Sequence, residues 1–140
     1  GGDVTYHGPG QLGSFLAGCD TLVCLLPLTP ETRGFLCADV FARLPHGAHL
    51  INVGRGEHLV EADLLAALAT GQLASATLDA FEQEPLPAAH PFWAHPGIVV
   101  TPHIATRTDI AVIAQQTLDN LAMIKRGLHP PNLIDRRRAY

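Results

Sequence analysis

Ile51-Asn52-Val53-Gly54-Arg55-Gly56 decides the fold, because a short apolar run, Leu50–Ile51, stops there at a polar residue and two glycines bracketing an arginine. The same event occurs twice more. Ala74–Leu78 runs into Asp79-Ala80-Phe81-Glu82-Gln83-Glu84-Pro85, and Ile98–Val100 runs into Thr101-Pro102-His103-Ile104-Ala105. In an open parallel sheet, strands deliver their C-terminal ends to one edge, where such folds bind and transform ligands. Arg55, Glu84 and His103 should therefore meet in space. A guanidinium can grip a carboxylate with two prongs, an imidazole can donate a proton, and a carboxylate can hold that imidazole charged and oriented.

Between these points the pattern alternates. Gln11–Ala17 carries apolar residues at helical spacing, and Thr21–Leu26 is a continuous apolar run suited to a strand covered on both faces. Thr29-Pro30-Glu31-Thr32 reads as a helix start, with Thr29 as cap and Pro30 at the first position. Ala38–Leu44 and Glu61–Thr70 read as helices, His49–Asn52 as a strand, and Thr108 or Asp109 as the cap of a long helix to about Arg126. Val4–Tyr6 reads as a strand tail or an incoming loop. The proline-rich stretch 84–96 reads as an ordered loop anchored by Phe92 and Trp93, and His129–Tyr140 as irregular. Alternating strands and helices predict an α/β fold with a parallel sheet.

Composition narrows the classes of function. With 140 residues, 47% hydrophobic and 16% charged, the chain is globular and of one-domain size. A net charge of −4 offers no general attraction for nucleic acid or anionic membrane, so the Arg136-Arg137-Arg138 run reads as a solvated or interfacial tail. No apolar run approaches the ~20 residues that span a bilayer. Cys19, Cys24 and Cys37 are odd in number and form no Cys-x-x-Cys pair, which points to free buried thiols in a reducing cytoplasm. His90 and His95 flank Pro91-Phe92-Trp93-Ala94 without two further ligands at suitable spacing, so no metal is expected.

Individual residues keep alternatives at this level. Glu82 competes with Glu84, although Pro85 restricts Glu84 to extended geometry. Asp79 could cap a turn or accept a hydrogen bond from a ligand amide. Arg55 alone could be an ordinary solvated turn residue, and a lone histidine such as His103 is more often structural than catalytic.

The ordered set Leu25–Gly34, Ile51–Gly56, Leu78–Pro87 and Thr101–Ala105 resembles the NAD(P)-dependent D-2-hydroxyacid dehydrogenases throughout. Pro91–Pro96 and the ending Ile134–Tyr140 are similar to the glyoxylate/hydroxypyruvate reductase A branch in particular. The resemblance implies the C-terminal part of a Rossmann-like doubly wound parallel sheet over residues 1–108. Residues 109–140 would then return toward a separate substrate domain. It implies Arg55 as substrate anchor, His103 as acid/base and Glu84 as its partner. Leu26, Pro27, Val53, Gly54, Arg55, Asp79, His103, Ala105 and Thr106 are implied around a cofactor, NADP with NAD possible. A small 2-oxo acid is the implied substrate and a homodimer the implied full-length assembly. Phosphoglycerate or D-lactate dehydrogenases, and a non-catalytic NAD(H)-sensing regulator, are the alternative readings. The chain lacks an initiating Met, and the Gly-x-Gly-x-x-Gly phosphate loop would lie upstream, so it reads as a piece of something longer.

Overall fold

The computed structural model describes residues 11–106 and 109–131. The chain divides into two compact units, Gly1–Ala105 and Thr106–Tyr140. Val4–Tyr6, Thr108 and Arg136–Arg138 lie outside the described residues.

The first unit is built on four parallel strands in sequential order: β1 (Thr21–Cys24), β2 (Ala48–Asn52), β3 (Leu73–Leu78) and β4 (Ile98–Val100). Helix α1 (Leu12–Ala17) leads into β1, α2 (Ala38–Phe41) joins β1 to β2, and α3 (Glu61–Ala69) joins β2 to β3. Register sets Leu22, Leu50, Ala76 and Ile98 side by side across the sheet, and all four are buried. Phe41, Leu64 and Phe92 belong to the same buried hydrophobic cluster as this row. A shift between Ala48 and His49 marks an irregularity in the β2–β3 pairing.

Chain punctuation explains the boundaries. Gly71 takes a positive φ of 77° after α3, a conformation that costs glycine nothing and lets the chain turn into β3. Asp63 on α3 accepts the Ala38 N–H at 2.8 Å, so one helix caps another. Gln72 donates to the Phe41 and Leu44 carbonyls at 2.8 and 3.0 Å, satisfying acceptors at the end of α2. The 84–96 loop is ordered, as expected. Phe92 is buried within a 3₁₀ turn at Pro91–Ala94, and the Trp93 indole N–H donates to the Pro87 carbonyl at 2.9 Å.

Two expectations are overturned. Residues 29–34 form a single turn and not a helix. The Thr32 hydroxyl donates to the Pro27 carbonyl at 2.7 Å and accepts the Thr29 N–H at 2.8 Å, while Gly34 turns the chain away with φ 65°. Side-chain hydrogen bonds thus compete with helix propagation. Among the described residues β1 is also not covered on both faces: Val23 is 47% exposed and Leu25, beyond the strand end, 73%. Sequential parallel strands joined by right-handed crossovers place their helices on the same face, so α2 and α3 cover one side only.

The second unit contains α4 (Ile110–Lys125). Asp109 caps it by accepting the Ala111 N–H at 2.8 Å, and Gly127, at φ 72°, follows its end. Ile110, Val112, Ile113, Leu118, Leu121 and Ile124 along this helix are exposed.

Candidate active site

The ends of β2, β3 and β4 deliver the loops bearing Arg55, Glu84 and His103 to one edge of the sheet. The β3 and β4 loops are tied together by a buried carboxylate. Asp79 follows directly on β3, and its oxygens accept from the Thr101 hydroxyl, from the Ile104 N–H at 2.9 Å and from the Ala105 N–H at 2.9 Å. Burial by itself would raise the Asp79 pKa. The hydrogen bonds from Thr101, Ile104 and Ala105, with His103 nearby, outweigh it and hold the carboxyl below its usual range. Asp79 therefore clamps the turn on which His103 sits.

That turn is strained. His103 has φ 55°, the only positive φ on a non-glycine residue among those described. The left-handed region is unfavourable for a residue carrying a Cβ, and such positions persist where surrounding contacts over-determine them. Here the Asp79 clamp and a His103 N–H bond to the Thr101 carbonyl at 3.0 Å do so. The ring is presented to solvent with its Nδ1 2.8 Å from Glu84 Oε2. Glu84, not Glu82, makes this contact.

Glu84 is fixed in turn, because its other oxygen accepts the Phe81 N–H at 2.9 Å. The hydrogen bond to His103, then that from Phe81, lower the Glu84 pKa, so the carboxylate stays ionised. A carboxylate only accepts, so Nδ1 carries the proton and Nε2 is left as the ring's outward nitrogen. Beside the pair opens a concavity of about 390 Å³, walled mainly by Phe81, Leu86, Trp93 and Val100. The Glu84–Pro85 peptide is cis.

Arg55 is exposed, and its guanidinium donates to the Gly54 carbonyl at 2.8 Å. Fully buried Asn52, the last residue of β2, shapes its loop. The Asn52 amide donates to the Arg55 carbonyl at 3.0 Å and accepts the Gly54 N–H at 3.1 Å. Gly56 packs backbone to backbone against the next loop, where a Cβ would lie 1.9 Å from the Phe81 carbonyl carbon. The loop bearing Arg55 and the loop bearing Glu84 thus touch directly.

Of the remaining candidates, Pro27, Ala105 and Thr106 are exposed, Leu26 and Val53 half-buried, and Gly54 buried.

Residues 4–105 match the D-isomer specific 2-hydroxyacid dehydrogenase, NAD binding domain. The chain belongs to the D-isomer specific 2-hydroxyacid dehydrogenase family. The glyoxylate/hydroxypyruvate reductase A of Yersinia enterocolitica is 45% identical to it over 139 residues, which make up 99% of this chain and 44% of that relative. The chain thus spans under half the length of the curated relatives it matches. A D-isomer specific 2-hydroxyacid dehydrogenase from Xanthobacter autotrophicus, solved with NADPH and MES, superimposes with a TM-score of 0.90 at 47% identity. That match covers 96% of this chain and 56% of the other. The NADPH-dependent glyoxylate/hydroxypyruvate reductase of Sinorhizobium meliloti, solved with NADP and sulfate, gives 0.88 at 39% identity, covering 96% and 44%. The four-stranded sheet is accordingly part of a Rossmann-like NAD-binding domain, and the relatives it matches are oxidoreductases.

The sequence singles out Arg55, Glu84 and His103, and reads Gly56 only as a small neighbour of Arg55, whereas the structure shows that Asn52, Gly56 and His58 build the Arg55 loop. A polar residue closing a buried run was the available signal for Asn52. Only the packing reveals the other two.

Proposed function

We propose that these residues form the nicotinamide-facing side of a reductase that converts glyoxylate or hydroxypyruvate to the 2-hydroxy acid, using NADPH with NADH as a possible substitute. The observation that carries this reading is the 2.8 Å bond between Glu84 and His103, made from a strained turn on the edge that also bears Arg55. A nicotinamide bound there would supply the hydride. Arg55 binds the carboxylate of the 2-oxo acid and polarises its carbonyl, countering the negative charge that develops on oxygen. His103 gives its Nε2 proton to that oxygen, and Glu84 holds the ring aimed through Nδ1. Leu26, Pro27, Val53, Gly54, Asp79, Ala105 and Thr106 line the cofactor, with Asp79 doing so while clamping the His103 turn.

Similarity to the reductases of Yersinia enterocolitica and Sinorhizobium meliloti supports this substrate class and the choice of NADP. In this reading residues 1–108 complete a dinucleotide-binding domain, and 109–140 pack toward a substrate domain. The exposed apolar residues of α4 suit that packing, and a homodimer at full length belongs to the same reading. The free cysteines suit a reducing cytoplasm. The test is the initial rate of glyoxylate and hydroxypyruvate reduction by the full-length protein, with NADPH and NADH compared at equal concentration. Turnover of both acids with a preference for NADPH is expected. Turnover confined to D-lactate or 3-phosphoglycerate oxidation would replace the substrate assignment, and no turnover of any 2-oxo acid would remove the catalytic reading.

A further inference from the structure

His58 is fully buried, yet it is a polar ring with both nitrogens committed. It ends the 3₁₀ turn Gly56–His58 that follows Arg55. Its Nε2 lies 3.3 Å from the Pro27 carbonyl oxygen, which can only accept, so Nε2 carries the proton and donates. Nδ1 is then bare and accepts the Arg55 N–H at 3.0 Å. The Arg55 carbonyl lies 3.1 Å from the same nitrogen but takes its proton from the Asn52 amide at 3.0 Å. The ring also fills the space that Gly54 leaves open, since a Cβ there would lie 3.0 Å from Nδ1.

The two partners belong to different loops. Arg55 stands beyond the end of β2 and Pro27 beyond the end of β1. The Pro27 carbonyl is gripped a second time by the Thr32 hydroxyl at 2.7 Å. One imidazole therefore spans the loop proposed to anchor the oxo acid and the loop proposed to lie along the cofactor. A hydrocarbon of the same size would fill the volume and leave both loops untied, with the Arg55 N–H and a Pro27 acceptor site short of a partner.

We propose that His58 is a positioning residue that sets the substrate-binding Arg55 loop and the cofactor-lining Pro27 loop in one fixed register. This rests on the assignment of Arg55 and Pro27 made above. Each nitrogen governs one loop, so the two arms are separable by amide variants. His58→Asn places an amide oxygen near the Nδ1 position and is too short to reach Pro27. His58→Gln carries an amide N–H to the Nε2 position and has no acceptor where Nδ1 was.

The experiment measures Michaelis constants for glyoxylate and NADPH, with kcat, in the full-length protein and its His58→Asn, His58→Gln, His58→Leu and Arg55→Ala variants. Near-UV circular dichroism and thermal melting monitor folding. His58→Asn is expected to raise KM for NADPH roughly fivefold, the effect of one net hydrogen bond, and to leave KM for glyoxylate within about twofold. His58→Gln is expected to raise KM for glyoxylate roughly fivefold and KM for NADPH by less, because Val53 and Gly54 on the Arg55 loop also line the cofactor, and His58→Leu to raise both. If Asn and Gln shift both constants in the same proportion, tracking the loss in melting temperature, or shift neither, His58 is a core residue only and the proposal fails. Should His58→Leu not fold, the Asn and Gln pair still decides it. Arg55→Ala separates the two levels. A raised KM for glyoxylate there with silent His58 variants refutes the positioning role alone, whereas an unmoved KM refutes the Arg55 assignment and the proposal with it.

Discussion

At the scale of single residues, His103 is held where few side chains go, by partners that gain from holding it. Its left-handed backbone is stabilised through Asp79, whose two oxygens take three donors from the segment 101–105. Asp79→Asn keeps the size but turns one oxygen into a donor facing another donor. A loss of roughly 2–3 kcal/mol is expected in urea unfolding at neutral pH, the range for a buried hydrogen bond to a charged group. The pH dependence has a definite sign. Asp79 and Glu84 both titrate below their ordinary values in the folded chain. Their contribution to stability is therefore complete above the unfolded value of about 4 and is lost as pH falls through the lower folded values. The wild-type urea midpoint should fall steeply below about pH 4, and more shallowly in Asp79→Asn. Equal slopes would show that Asp79 is not ionised in the fold. Arg55→Ala is expected to raise KM for the oxo acid and to lower kcat, because the guanidinium acts on bound substrate and on the charge that develops later.

At the scale of elements, the strands were legible because apolar runs end at prolines, glycines or polar residues. Ile98–Val100 is placed as read, and β2 and β3 begin one residue earlier than read. Thr29–Thr32 was misread because its cap chemistry is real, but the Thr32 hydroxyl turns back on Pro27 before a second turn can form. The bare face of β1 was invisible because an apolar run shows that a strand could be covered, and connectivity decides whether it is. The Glu84–His103 pair was legible through the motifs on successive strand ends. Gly56 was not, since its need is for space against another loop and not for an unusual φ. Gly56→Ala would set a Cβ 2.1 Å from the Glu82 amide nitrogen, with backbone on both sides and nothing flexible to give way. A cost of roughly 1–3 kcal/mol or more is expected, seen as a lowered melting temperature, together with a raised KM for the oxo acid as the Arg55 loop shifts. Gly13→Ala, in α1 with open space around it, should instead stabilise by about 0.5–1 kcal/mol. The reverse order of these two variants would refute the packing argument.

At the scale of the whole molecule, the 140 residues span under half the length of the curated reductases they match. Residues 1–140 alone are expected to show no measurable reduction of glyoxylate and to bind NADPH weakly or not at all in calorimetric titration. In the proposed reading the described strand ends face the nicotinamide, whereas pyrophosphate binding calls for backbone donors at a helix N-terminus and catalysis for an enclosed substrate. Among the described residues β1 pairs on one side only, so self-association in light scattering is expected as well. Micromolar binding by a monodisperse monomer would show that the chain works as a unit without further structure. Proton transfer at this sheet edge is decided by kcat for glyoxylate reduction in the full-length protein carrying His103→Ala, with folding verified by its melting curve. A fall of roughly 10²–10⁴-fold is expected, the range for a positioned general acid, and turnover close to that of the unaltered protein would contradict the account.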